Sequence, residues 1–182
     1  SIQGDFMKHL ILIAAIALIG CGTAPVANTI VESIEESHID KDFLPYYLDF
    51  NASAAKEGIT LDSRIVPISY GEVSAHTIIA ECYRDTDDQD RFINPRIIVS
   101  RYQWNSFGAE EHLSTIYHEL GHCVLNRPHT MAMTSLSNSP VPNSLMYPSI
   151  LPTFLLEAMW AHYVHELFHQ GPQVDQPLGN NR

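Results

Sequence analysis

The chain has 182 residues, a net charge of −11 and only ten Lys and Arg, a balance that argues against a nucleic-acid partner, because phosphate binding wants a basic surface. With an N-terminal export segment set aside, about 160 residues remain, enough for one domain with its own core. Ten histidines are a rich supply of metal ligands, and no repeat or low-complexity tract divides the chain.

The first methionine is Met7, and Ser1 to Phe6 read as residues upstream of the start. Lys8, the apolar run Leu10 to Ile19 and the small residue Gly20 describe a signal peptide over residues 7–20. That run is too short for a hydrocarbon core, which takes roughly 20 helical residues, so a permanent transmembrane anchor is disfavoured. Leu18-Ile19-Gly20-Cys21 resembles the bacterial lipobox. The resemblance implies cleavage before Cys21, acylation of its thiol, and an exported chain held on a bacterial membrane by lipid. Residues 21–40 then read as the lipidated cysteine and its tether. Beyond Cys21 only Cys82 and Cys123 remain; an oxidising compartment permits a disulfide between them, and spacing alone leaves open whether they pair.

Asp42 to Glu57 predicts a helix with Phe43, Tyr47 and Phe50 or Ala54 on one face and Gly58 as its stop. Three short strands are expected at Arg64 to Tyr70, Ala75 to Tyr83 and Arg96 to Tyr102, the first demoted to an edge or bulged strand by Pro67. Arg84 to Asn94 reads as a charged turn. Its Asp85, Asp87, Asp88 and Asp90 lack the glycine and spacing of a calcium loop, which favours a solvated loop. Ala109 to Leu125 is the clearest helix, with Glu110 and Glu111 in the first turn where the helix dipole favours acids, and Leu113, Ile116, Leu120 and Cys123 facing the core. Asn126 to Pro148 reads as irregular. A last helix runs from about Pro152 to Gln170, stopped by Gly171-Pro172, and residues 172–182 form a disordered tail.

His118 and His122 are four residues apart on the predicted helix, so both imidazoles leave one face and can grip one ion. Glu119, beside the first of them, can reach a metal-bound water as general base.

The series His118-Glu-Leu-Gly-His122, then His129, then Asn143-Ser-Leu-Met146-Tyr-Pro148 resembles the metzincin clan of zinc endopeptidases, most of all its matrixin branch. The resemblance implies His118, His122 and His129 as zinc ligands, and Met146 as an apolar floor within a methionine turn, with Tyr147 packing beside it. It is strong from His118 to Pro148; the elements before agree only in kind. One position departs from the pattern: Leu125 and Pro128 stand where the clan has its glycine and third ligand, and His129 comes one residue late. A left-handed Asn126 making the turn repairs the offset. Cys123 lies on the core side and reads as a disulfide partner or buried thiol.

His165-Glu166-Leu167-Phe168-His169 fits the same two-histidine formula, but beyond it only Asp175 offers a further ligand. His162, His165, Glu166 and His169 read as one solvated face, with a zinc or assembly role as the alternative.

The expectation is therefore an α/β (α+β), zincin-like domain over residues 41–171: a small twisted mixed sheet, a backing helix, the active-site helix, an irregular lower part and a C-terminal helix. It would act as a monomeric Zn2+ endopeptidase on peptide or protein substrates. The rivals are a non-catalytic zinc-binding lipoprotein and a zinc peptidase with Glu157 as third ligand.

Overall fold

The computed structural model describes residues 39–89 and 91–170. The expected signal peptide, Cys21 and most of the expected tether, and the expected C-terminal tail, lie outside the described residues. No helix among the described residues is long and apolar enough to cross a membrane.

The architecture is mixed α and β: a three-stranded sheet, a two-stranded hairpin and four helices among the described residues. Helix α1, Leu44–Lys56, buries Tyr47, Phe50 and Ala54, the apolar stripe expected from its spacing. Gly58 ends it at φ +76°. Its N–H bonds to the Ala55 carbonyl while that of Ile59 reaches Ala54, a Schellman stop that only a residue tolerant of left-handed backbone makes cheaply.

Strand β1 is Ile68–Tyr70, β2 is Ala80–Thr86 and β3 is Phe92–Val99. Their order is β1-β3-β2, with β1 parallel and β2 antiparallel to β3. All three differ from their expected bounds. Pro67 keeps β1 short, since it has no N–H to give a ladder. The charged stretch Arg84 to Asn94 keeps its turn but is strand at both ends, because its charges pair across the hairpin: Arg96 Nη1 reaches Asp85 at 3.2 Å. Asp87 pairs with Arg91 at 2.7 Å and closes the turn. Arg101–Trp104 is a short helix, α2, and not the end of a strand; Ser100 Oγ caps it by accepting from the Gln103 N–H.

Helix α3, Ala109–Cys123, starts at Gly108, whose N–H donates to the Glu111 carboxylate. It packs on the sheet through β2 and on α1, where Tyr117 Oη donates to Asp49 at 2.7 Å. The stretch expected to be irregular contains a hairpin, β4 Met133–Leu136 and β5 Ser139–Pro142. Ser137 and Asn138 both have positive φ, the backbone a two-residue hairpin turn requires. Helix α4, Thr153–His169, closes the chain against α3. Its Glu166 is buried, not solvated: it turns inward toward a partner supplied by the loop after α3.

Candidate metal centre

His118 and His122 project from α3, and the chain then reverses to bring His129 back to them. Asn126 makes that reversal at φ +52°, and the Arg127 N–H returns to the Gly121 carbonyl at 2.9 Å. The Asn126 side chain is itself held, because Arg84 Nη1 donates to its Oδ1 at 2.6 Å. Arg84 sits at an irregularity in the β2 register between Tyr83 and Asp85, and a bulge of that kind re-aims a side chain.

The three Nε2 atoms converge: His118 to His129 is 3.0 Å, His122 to His118 is 3.1 Å and His122 to His129 is 3.1 Å. The opposite ring nitrogens fix what those atoms are. His118 Nδ1 lies 2.6 Å from the Leu145 carbonyl and His122 Nδ1 lies 2.6 Å from the Arg127 carbonyl. A carbonyl only accepts, so each Nδ1 carries the proton and each neutral ring presents a bare lone pair at Nε2. Lone pairs converging on one point repel unless a cation lies among them. Nitrogens about 2.0–2.1 Å from a tetrahedral ion stand about 3.3 Å apart, close to the observed triangle. The donor set therefore fits a metal ion.

The electrostatics keep the rings neutral. Burial pushes the His118 pKa down to about 3, with the neighbouring His122 adding to the effect. His122 falls to about 4, again chiefly through burial, and burial lowers His129 as well.

Glu119 lies in the same cleft, a space of about 650 Å³ shared with the three histidines, Tyr147 and the β2 residues Ala80 to Cys82. Burial raises its pKa to about 8, opposed by the Cys82 N–H, which donates to its Oε2 at 2.8 Å, and reinforced by the charge of Glu81. A bound cation would act in the opposite sense and favour the carboxylate. Strand β2 is the sheet edge here, and the Cys82 N–H points away from β3 into the cleft. A disulfide joins Cys82 to Cys123, tying that edge to the helix that carries Glu119.

Met146 is fully buried. A Cβ on Gly121 would meet its sulfur at 2.6 Å, so the turn beneath the histidines approaches the α3 backbone itself. The turn also orients ligands: the Leu145 carbonyl holds His118, and the Met146 carbonyl accepts from the Thr130 N–H at 3.0 Å, beside His129.

Three residues absent from the sequence-based site support it from below. Arg127, whose carbonyl holds His122, sends its guanidinium inward to Glu166 Oε1 at 2.6 Å and to the Glu166 and Leu167 carbonyls. Ser144 Oγ donates to Glu166 Oε2 at 2.6 Å and accepts from the Met146 N–H. The helical pattern gave no signal for them, because Glu166 shares the polar face of its helix and its partner lies 39 residues away. Glu157 is exposed on α4 and does not line the cleft, so it is not the third member of the cluster.

Comparison of the chain with protein-family models, curated proteins and solved structures returned no match.

Proposed function

We propose that this chain is a zinc endopeptidase with a metzincin-like site, exported and anchored to a bacterial membrane through lipidated Cys21. The observation that carries the reading is the triangle of three converging Nε2 atoms with Glu119 beside it in one cleft. Three neutral imidazoles leave a tetrahedral ion one open position, the arrangement of catalytic zinc, whereas structural sites close all four. Storage of an ion needs no carboxyl group in the cleft.

A divalent ion held there supplies Lewis acidity and lowers the pKa of a water. Glu119 takes a proton from the attacking water at a carboxylate oxygen and passes it to the departing amine. The Cys82 N–H fixes the carboxyl group through Oε2. Beside that contact, the outer edge of β2 at Ala80 offers main-chain groups to which an extended peptide adds as a further strand, which favours peptides over small esters. A disulfide between Cys82 and Cys123 accords with an oxidising, exported setting.

The test uses purified protein loaded with zinc and a mixed peptide pool read by mass spectrometry. Wild type is expected to cleave internal bonds, and Glu119→Ala to keep its zinc while losing roughly 10²–10⁴ of the rate. A Glu119→Ala protein as active as wild type sinks the reading. A wild type that holds zinc and cuts no peptide is instead a non-catalytic metal-binding lipoprotein.

A further inference from the structure

We propose that Glu57, His165 and His169 form a second site for a borderline divalent transition ion, zinc or its neighbours, which clamps the C-terminal ends of α1 and α4 together. It shares no residue with the cleft and does not depend on the function proposed above.

His165 and His169 stand one turn apart at the end of α4, with ring centroids 4.3 Å apart. Glu57, the residue that caps the end of α1, places Oε2 2.8 Å from His165 Nδ1 and 3.0 Å from His169 Nε2. The three ligand atoms lie within 4.8 Å of one another. They come from segments 108 and 112 residues apart, so the fold, and not local sequence, gathers them. Two imidazoles and one carboxylate suit zinc and the later first-row ions far better than calcium or magnesium, which prefer all-oxygen sets. The histidines remain exposed, which leaves water to complete the coordination.

Two further features hold the ligands in place. Glu166, between the two histidines in sequence, is locked inward on Arg127 and Ser144, and this sets the rotation of α4 that turns His165 and His169 toward Glu57. The Schellman stop at Gly58 ends α1 at Glu57, so the carboxylate stands at a defined helix terminus. The competing arrangement is a metal-free hydrogen-bonded trio; an exposed ion pair of that kind contributes little to stability, and an ion that binds both helices adds a cross-link.

The experiment strips metal from the full-length protein with a chelator and counts the ions regained in equilibrium dialysis against zinc. Wild type is expected to bind two, the His118→Ala/His122→Ala protein one, and the His165→Ala/His169→Ala protein one. Glu57→Gln, which keeps the side-chain shape, is expected to weaken the second ion at least about 10-fold and leave the first unchanged. Zinc should raise the thermal midpoint of His118→Ala/His122→Ala, and this gain should vanish when His165 and His169 are also replaced. The proposal is overturned if wild type takes up a single ion at up to millimolar zinc, or if the second ion persists without His165 and His169. Failure of the catalytic reading would appear separately, as loss of hydrolysis or of the ion that needs His118 and His122.

Discussion

The Arg127 guanidinium meets the Glu166 carboxylate at 2.6 Å in the protein interior, with both side chains under a tenth exposed. The same Arg127 gives its carbonyl to His122 Nδ1, and the same Glu166 accepts from Ser144 at the foot of the methionine turn. One ion pair thus fastens the second ligand, the third ligand's loop and the closing helix to each other. Removing one member leaves the other charge buried alone, which costs roughly 3–5 kcal/mol, whereas well-packed apolar residues in both places come near neutrality. Glu166→Ala is therefore expected to lower the urea midpoint sharply, and Arg127→Met/Glu166→Leu to recover most of the loss. A Glu166→Ala cost below about 1 kcal/mol, the range of a surface pair, would remove the pair from the architecture of the site.

Gly121 lies where α3 comes against the turn that carries Met146. An added Cβ would stand 2.6 Å from Met146 Sδ and 3.1 Å from Leu167 Cδ1. Both neighbours are fully buried, so neither can swing into solvent. Gly121→Ala is expected to destabilise by about 1–3 kcal/mol through overpacking, and Gly121→Ala/Met146→Ala to fall well below the sum of the two single costs, because the second change vacates the space the first needs. Strict additivity in denaturant unfolding would show that the two positions do not press on each other.

The Cys82–Cys123 bond closes a loop with a sequence separation of 41. A loop of that size restricts the unfolded chain by about 4 kcal/mol in the chain-entropy view, and loss of a native disulfide typically costs roughly 2–5 kcal/mol. Cys82→Ser/Cys123→Ser should unfold at a distinctly lower temperature. Its metal affinity should change little, since His118 and His122 reach their carbonyl partners without the bond. Equal thermal midpoints for the oxidised and reduced wild type would contradict this.

The helix that carries His118 and His122 was legible because its information is local. Histidines four apart with an acid between them need only helical periodicity to meet, and Asn126 belongs to the residue types enriched in left-handed backbone. Strands β2 and β3 were harder to bound, because their charged halves join through cross-strand pairs such as Asp85 with Arg96, and a pattern of alternating apolar residues cannot register those. The β4–β5 hairpin carries prolines at positions 140 and 142 and a Ser-Asn turn, which read as loop chemistry. Glu166 falls beside His162 and His169 on a helical projection, and what draws it inward is Arg127, 39 residues earlier. No periodicity records a partner at that distance.

The geometry of the third ligand depends on the left-handed Asn126, which offers the most specific test of the site. At φ +52° an alanine is strained by roughly 1–2 kcal/mol, and glycine is not. The side chain matters separately, because its Oδ1 accepts from Arg84 and so ties the turn to the edge strand. Asn126→Gly should keep the turn, retain most of the zinc affinity and lose only the tie to Arg84. Asn126→Val adds a β-branched side chain to backbone it cannot adopt without cost, so the chain must shift and carry His129 away from the other two imidazoles. Its zinc affinity should approach that of His129→Ala, with the helix content of both unchanged by circular dichroism. If Asn126→Val binds zinc as tightly as Asn126→Gly, the turn does not position His129, and the one-residue offset of that histidine is absorbed elsewhere in the loop.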